Sequence, residues 1–122
     1  MTVDSESLCL VAWPNIVTPQ EVYKRKAQII KALGHPSRLM MIDALAEGEK
    51  CVCELQQLVG ADMSTVSKHL SVLRNAGLVD DRKQGLQVFY SLRVPCIINF
   101  FGCVEAVMEQ RSEAAAAYSA TR

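Results

Sequence analysis

Two cysteines one residue apart, Cys51 and Cys53 in EKCVCELQQL (49–58), are the residues of this chain best suited to chemistry. Thiolates are soft ligands and good nucleophiles, and two so close can serve one ion or join each other. The stretch reads as the start of a short helix, and a helix N-terminus lowers a thiol's pKa toward neutrality. On an ideal helix, however, positions i and i+2 lie ~200° apart around the axis. A soft ion ~2.3 Å from each sulfur needs the two sulfurs within roughly 4 Å. Both conditions hold only if the first turn is loose or is distorted on capture. The alternative is structural: Cys is a common buried residue, and one of the pair simply packs in the core.

The chain has 122 residues and five cysteines, the others being Cys9, Cys96 and Cys103. The N-terminal MTVDSESLCLVAWPNIV carries acids and no basic leader, so it does not read as a secretory signal. No apolar run reaches the ~20 residues of a membrane span. We therefore expect a cytoplasmic protein with no membrane partner, whose thiols are free, reactive or metal-bound rather than structural bridges. Half the residues are apolar and 6% aromatic, an ordinary composition for one helix-leaning domain. Formal net charge is zero, but the charges are unevenly spread. Residues 24–38 hold Lys24, Arg25, Lys26, Lys31 and Arg38 with no acid among them, so a neutral total can hide a basic face.

The elements that must position these residues follow from periodicity. Residues 1–18 read as a flexible arm broken by Pro14 and Pro19. A first amphipathic helix spans about 20–33, with Val22, Ile29, Ile30 and Leu33 apolar, Thr18 as its cap and Gly34 as its stop. His35-Pro36 opens a second, carrying Leu39, Met40, Ile42, Ala44 and Leu45. A third covers about 51–59 and ends at Gly60. Asp62 caps a fourth, MSTVSKHLSVLRNA, with the stripe Val66, Leu70, Leu73 and a stop at Gly77. This is the outline of a helix-turn-helix. Leu78-Val79 and Gln87–Tyr90 then read as two strands joined at Lys83-Gln84-Gly85, a basic wing. A last helix from Pro95 to about Ala117 is apolar on most sides at first (Ile97, Ile98, Phe100, Phe101, Val104, Val107, Met108), so it wants a second partner surface. The domain is expected over 19–118, with 119–122 as a tail.

A recognition helix needs short polar donors near the end that enters the major groove. Ser64, Thr65, Ser67, Lys68 and His69 fit, and Arg82, Lys83, Gln84 and Gln87 on the wing would reach the flanking groove or backbone. Taken alone they are equally a solvated face, and a lone His beside Leu70 is more often a packing or capping residue. The order helix, turn, helix, basic hairpin favours DNA.

The segments ALGHPSRLMMIDALAEGE, CVCEL, STVSKHLSVLRNAGLV and VFYSL resemble the ArsR/SmtB family of metal-responsive winged-helix repressors, over roughly residues 20–105. The resemblance implies a mostly α fold with a small β-hairpin, a winged helix-turn-helix, and a homodimer through the first and last helices. It also implies a repressor that sits on double-stranded operator DNA and leaves it when a metal, metalloid or oxidant binds, and no enzyme activity. In the arsenic-, lead- and cadmium-sensing branches a Cys-x-Cys pair so placed is a ligand pair, which assigns Cys51 and Cys53. A third cysteine often follows three residues later, and here that position is Gln56. The His and carboxylate zinc site of the other branch has no counterpart, since His35 and His69 lie outside the last helix.

A third sulfur must therefore come from elsewhere. Cys96 and Cys103, ranked first, are seven apart on the last helix, ~10.5 Å along its axis, so one ion bridges them only if Cys96 lies in a frayed start or the ion is shared with another segment. Cys9 in the arm is the further candidate, as in the lead/cadmium branch. Trigonal sulfur coordination suits As(III), Sb(III) or Pb(II), while a fourth sulfur favours Cd(II) or Zn(II); we expect As(III). Two rivals stand beside this reading. One is a thiol redox or persulfide sensor on the same fold. The other is an enzyme with a nucleophilic Cys, disfavoured because neither His has an obvious Cys partner.

Overall fold

The structure is a computed structural model that describes residues 18–120, with side chains described from Thr18 to Ser112. The expected arm, with Cys9, falls outside the described residues apart from Thr18.

Each of the first four helices begins where a side chain can satisfy its orphan N–H groups. α1 is Pro19–Leu33, capped by Thr18, whose hydroxyl accepts from the Glu21 N–H at 3.2 Å. α2 is Pro36–Ala46, and its cap is His35, whose Nδ1 accepts from the Ser37 N–H at 3.1 Å. β1 is the two-residue strand Lys50–Cys51, and α3 follows at once as Val52–Val59. Gly60 takes φ 74, a left-handed conformation that a side chain resists, and so closes α3 within a tight turn. α4, Met63–Asn75, starts on Asp62. β2 (Val79–Gln84) and β3 (Gln87–Leu92) form the wing, and α5 runs Ile97–Ala120.

The fold expected from sequence is therefore present, with corrections. The sheet has three strands in the order β1-β3-β2, because Lys50 and Cys51 pair with Tyr90 and Phe89. A two-residue strand is too short to show alternation, so it could not be read in advance. The wing strands are longer than expected, and the tip is Gly85-Leu86, not Lys83–Gly85, since Gln84 pairs with Gln87. Gly85 supplies the positive φ of 63 that this two-residue hairpin needs. Cys51 lies outside α3, and Pro95 and Cys96 lie in a turn before α5.

The core sits beneath α4. Val66, Leu70 and Leu73 are fully buried, as their spacing requires, against Met41, Ile42 and Leu45 of α2, Leu55 of α3 and Val79 of β2. On α2 the expected inward residues Leu39 and Met40 face out and Met41 faces in. Tyr23, Ile30, Phe100, Val104, Val107 and Met108 are also exposed, and among the described side chains of α5 Phe101 alone is buried in the core. An apolar groove of about 320 Å³ runs between α1, α2 and α5, lined by Ile30, Leu33, Leu39, Phe100, Val104 and Met108.

Truncating the centre of the α4 stripe tests this packing. Leu70→Ala should cost about 2–5 kcal/mol of folding stability, the range for a fully buried leucine that leaves a cavity. Urea unfolding at fixed protein concentration measures it, and a loss below about 1 kcal/mol would show that α4 does not organise the core.

Candidate DNA-reading face and thiol centre

Cys51 ends β1 with extended backbone (φ −78, ψ 161) and is the N-cap of α3. Its Sγ accepts from the Glu54 N–H at 3.4 Å, and the Glu54 carboxylate accepts from the Cys51 N–H at 3.2 Å. This is a capping box with sulfur in the usual hydroxyl's place. Because Cys51 is extended and Cys53 helical, the ~200° separation of an ideal helix does not apply. The two sulfurs are joined as a disulfide. Cys51 is buried and Cys53 exposed, so the pair is reached from one side. That side is a cleft of about 350 Å³ bordered by Val52, Met63, Ser67, Leu86, Gln87 and Val88.

The other candidate ligands are not gathered here. Among the described residues no three His, Cys, Asp or Glu side chains cluster as a metal site. Cys96 is half-buried in the turn before α5 and Cys103 is a free, exposed thiol on α5. Cys51 pairs with Phe89 in the sheet, whereas Cys96 lies beyond the end of β3, so the described residues do not gather Cys96 or Cys103 beside the Cys51/Cys53 pair. Cys9 falls outside the described residues.

On α4, Ser64, Ser67 and Lys68 are exposed, and no ion pair among the described residues engages Lys68. Ser64 and Thr65 both donate their hydroxyls to Asp62, whose carboxyl they hold down at a pKa of about 2. His69 differs from its neighbours, as its part-burial shows. Arg38 donates to its Nδ1 at 3.2 Å, and its ring lies 4.3 Å from that of His35. An arginine has no acceptor, so this bond requires a neutral ring with its proton on Nε2. Burial first, then the nearby His35 and Arg38 charges, push the His69 pKa down. His69 thus ties α4 to the start of α2, which corrects its grouping with the outward donors. His35 and Arg38 were missed as its partners; His-Pro at a helix start was the one available signal.

The wing is charge-balanced. Arg82 binds Glu49 through two bonds, at 2.6 and 3.2 Å, donates to Gln84 at 2.7 Å, and lies over the Phe89 ring at 5.0 Å. Glu49 was not anticipated as its partner. Arg74 pairs with Asp81 at 3.0 Å. Lys83, Gln84 and Gln87 are exposed on the strands leading to the tip.

Residues 35–81 match the family model described as bacterial regulatory protein, arsR family. A biofilm growth-associated repressor of Xylella fastidiosa is 42% identical over 79 residues, which are 62% of this chain and 69% of that one. This chain belongs to the ArsR family. Among solved structures, Rv0081 of Mycobacterium tuberculosis superimposes with TM-score 0.68 at 33% identity, over 80% of this chain and 97% of that one. The homodimeric winged helix-turn-helix DNA-binding domain Mb0332 of Mycobacterium bovis does so with TM-score 0.67 at 26% identity, over 83% and 95%. Within the ArsR-family frame α3 and α4 are the helix-turn-helix and β2–β3 the wing. The chain is a DNA-binding regulator, not an enzyme.

The His69 arrangement has a pH consequence. Its folded pKa lies below the ordinary 6.5, so the unfolded chain binds the extra proton more readily. The stability this contributes is present above pH 6.5 and is lost as pH falls below it. Denaturation midpoints at about pH 7.5 and about pH 5.5 should fall further for the wild type than for His69→Gln. Equal falls in the two proteins would remove His69 as the cause.

Proposed function

We propose that this ArsR-family protein is a transcriptional repressor, a homodimer that holds double-stranded operator DNA and releases it when As(III) is captured by Cys51 and Cys53. The observation that carries the proposal is the meeting of the two sulfurs at the cap of α3, one tight turn before α4. Reduced, the pair is a dithiol whose Cα atoms, 5.4 Å apart in the joined state, leave both sulfurs within reach of one soft ion. Capture takes the Cys51 sulfur lone pairs that the Glu54 N–H uses, and so loosens the start of the helix on which α4 leans. An effector acts only through different affinity for two states, and here the DNA-incompetent state is the one with the altered cap. Sb(III), Pb(II) and Cd(II) compete for the same sulfurs, with Cys9 as the candidate further ligand.

The uncovered apolar face of α1, α2 and α5 supports dimerisation through the first and last helices. Two copies would present their α4 helices to successive major-groove faces. No helix among the described residues is long and apolar enough to cross a membrane. A cytoplasmic location suits a protein that works on DNA.

A second reading is favoured by the joined state of the sulfurs: oxidation as the signal. Two thiols give up two protons and two electrons to a peroxide or polysulfide and form the same bond.

Fluorescence anisotropy on the upstream DNA of the protein's own gene separates the readings. Reduced wild type should release DNA on arsenite titration, while Cys51→Ser and Cys53→Ser should hold it at the same dose. Release by oxidant alone, with arsenite inert, would replace the metalloid reading with the redox one. On the DNA side, Lys68→Ala should weaken binding to all sequences and reduce the salt slope by about 1. An unchanged slope would take Lys68 off the phosphate backbone.

A further inference from the structure

His35, Arg38 and His69 meet where the start of α2 packs on the middle of α4, and the chain has no other histidine. Both rings accept through Nδ1: His35 from the Ser37 N–H at 3.1 Å, His69 from the Arg38 guanidinium at 3.2 Å. Each contact needs the Nδ1 lone pair, so each ring carries its proton on Nε2 alone. The rings lie 4.3 Å apart. Among the described residues no ion pair or hydrogen bond joins a carboxylate to any of the three. The charges acting on His69 are His35 and Arg38, both from α2; α1, α3 and β2, which also pack on α4, add none among the described residues.

Arg38 depends on the neutral ring. Its guanidinium makes one hydrogen bond among the described residues, to His69, and its Nε is buried without a partner. A second proton on His69 sets N–H against N–H and places like charge beside like charge. The bond is lost, and the two half-buried cations gain by separating into water. α4 thereby loses its one side-chain hydrogen bond to α2 among the described residues. Side-chain tips ~6 Å from a helix axis move by ~2 Å when the helix turns by about 20°. That displacement takes a donor out of hydrogen-bond range of a base edge or phosphate. Ser64, Ser67 and Lys68 lie on this helix.

We infer that protonation of His69 is a second release signal, independent of the thiols: it breaks the Arg38 contact, frees α4 to turn, and lowers affinity for operator DNA. The inference rests on α4 being the helix that reads DNA, not on the identity of the thiol ligand. Its sign follows from the surroundings of the ring. In the α2-bound arrangement the His69 pKa lies below the ordinary 6.5, held down by burial first and then by the His35 and Arg38 charges. A ring released to water returns to about 6.5. The released arrangement therefore binds the extra proton and gains as pH falls through 6.5. At about pH 5.5 the gain approaches roughly tenfold per protomer and roughly a hundredfold for a dimer. A histidine that merely faced the phosphates would do the reverse, since its positive charge strengthens binding on acidification.

The test uses the full chain, kept reduced with a phosphine and free of arsenite, on the upstream DNA of its own gene. Anisotropy at constant ionic strength should give a dissociation constant at least roughly tenfold higher at about pH 5.5 than at about pH 7.5, reversed on return to the higher pH. His69→Gln keeps an acceptor for Arg38 and has no ring to protonate, so its loss should stay below about threefold. Cys51→Ser should lose as much as the wild type. Magnetic resonance titration of the wild type's two histidines needs no variant, and the His69 midpoint should lie lower with DNA bound than without it. Equal losses in wild type and His69→Gln, or tighter wild-type binding on acidification, would overturn the inference. So would a His69 midpoint that DNA leaves unchanged or raises, or release accompanied by loss of helical circular dichroism. Absence of binding at about pH 7.5 would overturn the repressor reading along with it.

Discussion

The backbone at Cys51 satisfies two demands at once. It must be extended to pair with Phe89, and it must turn immediately into α3. The capping box with Glu54 makes that change of direction without leaving N–H groups unpaired. Moving the sulfur of this residue therefore disturbs the sheet edge and a helix start together. α3 has only eight residues and depends on its cap and on Leu55 for its position, since so short a helix has little stability of its own. Chemistry at Cys51 consequently reaches the element that supports α4 by the shortest path the fold offers.

The neutral net charge is compatible with a DNA-facing surface because acids on the wing side are consumed within the molecule. Glu49 is held by Arg82 and kept below the usual carboxylate range by that bond, Asp81 by Arg74, and Asp62 by two hydroxyls and the α4 N-terminus. Exposed pairs of this kind add little stability. Their larger effect is on the field: they cancel carboxylates that would repel phosphate, while no ion pair among the described residues engages Lys68 or Lys83.

How far the sequence carried the reading depended on length and on locality. Asp62, Gly60, Gly77 and the stripe Val66, Leu70, Leu73 are local signals on long elements, and each falls where its spacing puts it. β1 was not legible, because two residues have no period and their strand exists only through a partner some 40 positions away. Its omission led directly to the wrong geometry for the thiol pair, since Cys51 was read as helical. On α2 the run Leu39-Met40-Met41-Ile42 is apolar on every side, so periodicity could not choose which residues face inward. His69 was misgrouped for a similar reason: its partners, His35 and Arg38, lie at the start of another helix, 31 or more positions earlier.

The His35, Arg38 and His69 cluster also explains how α4 is oriented, not merely buried. A three-residue apolar stripe fixes which face of α4 turns inward but resists rotation about the axis only weakly, since neighbouring apolar residues repack at small cost. A hydrogen bond between side chains of two helices is directional. Arg38 comes from the first turn of α2, whose own direction is set by the His35 cap, so the rotation of α4 is referred to α2. The thiol pair lies at the opposite end of the same assembly, at the cap of α3. α4 therefore meets one polar contact at its middle and follows, after one tight turn, a helix whose cap is a cysteine sulfur. On the proposed capture of a soft ion, loosening the second while the first persists would tilt α4 and not unfold it, the motion that would withdraw the proposed donors Ser64 and Ser67 from a groove.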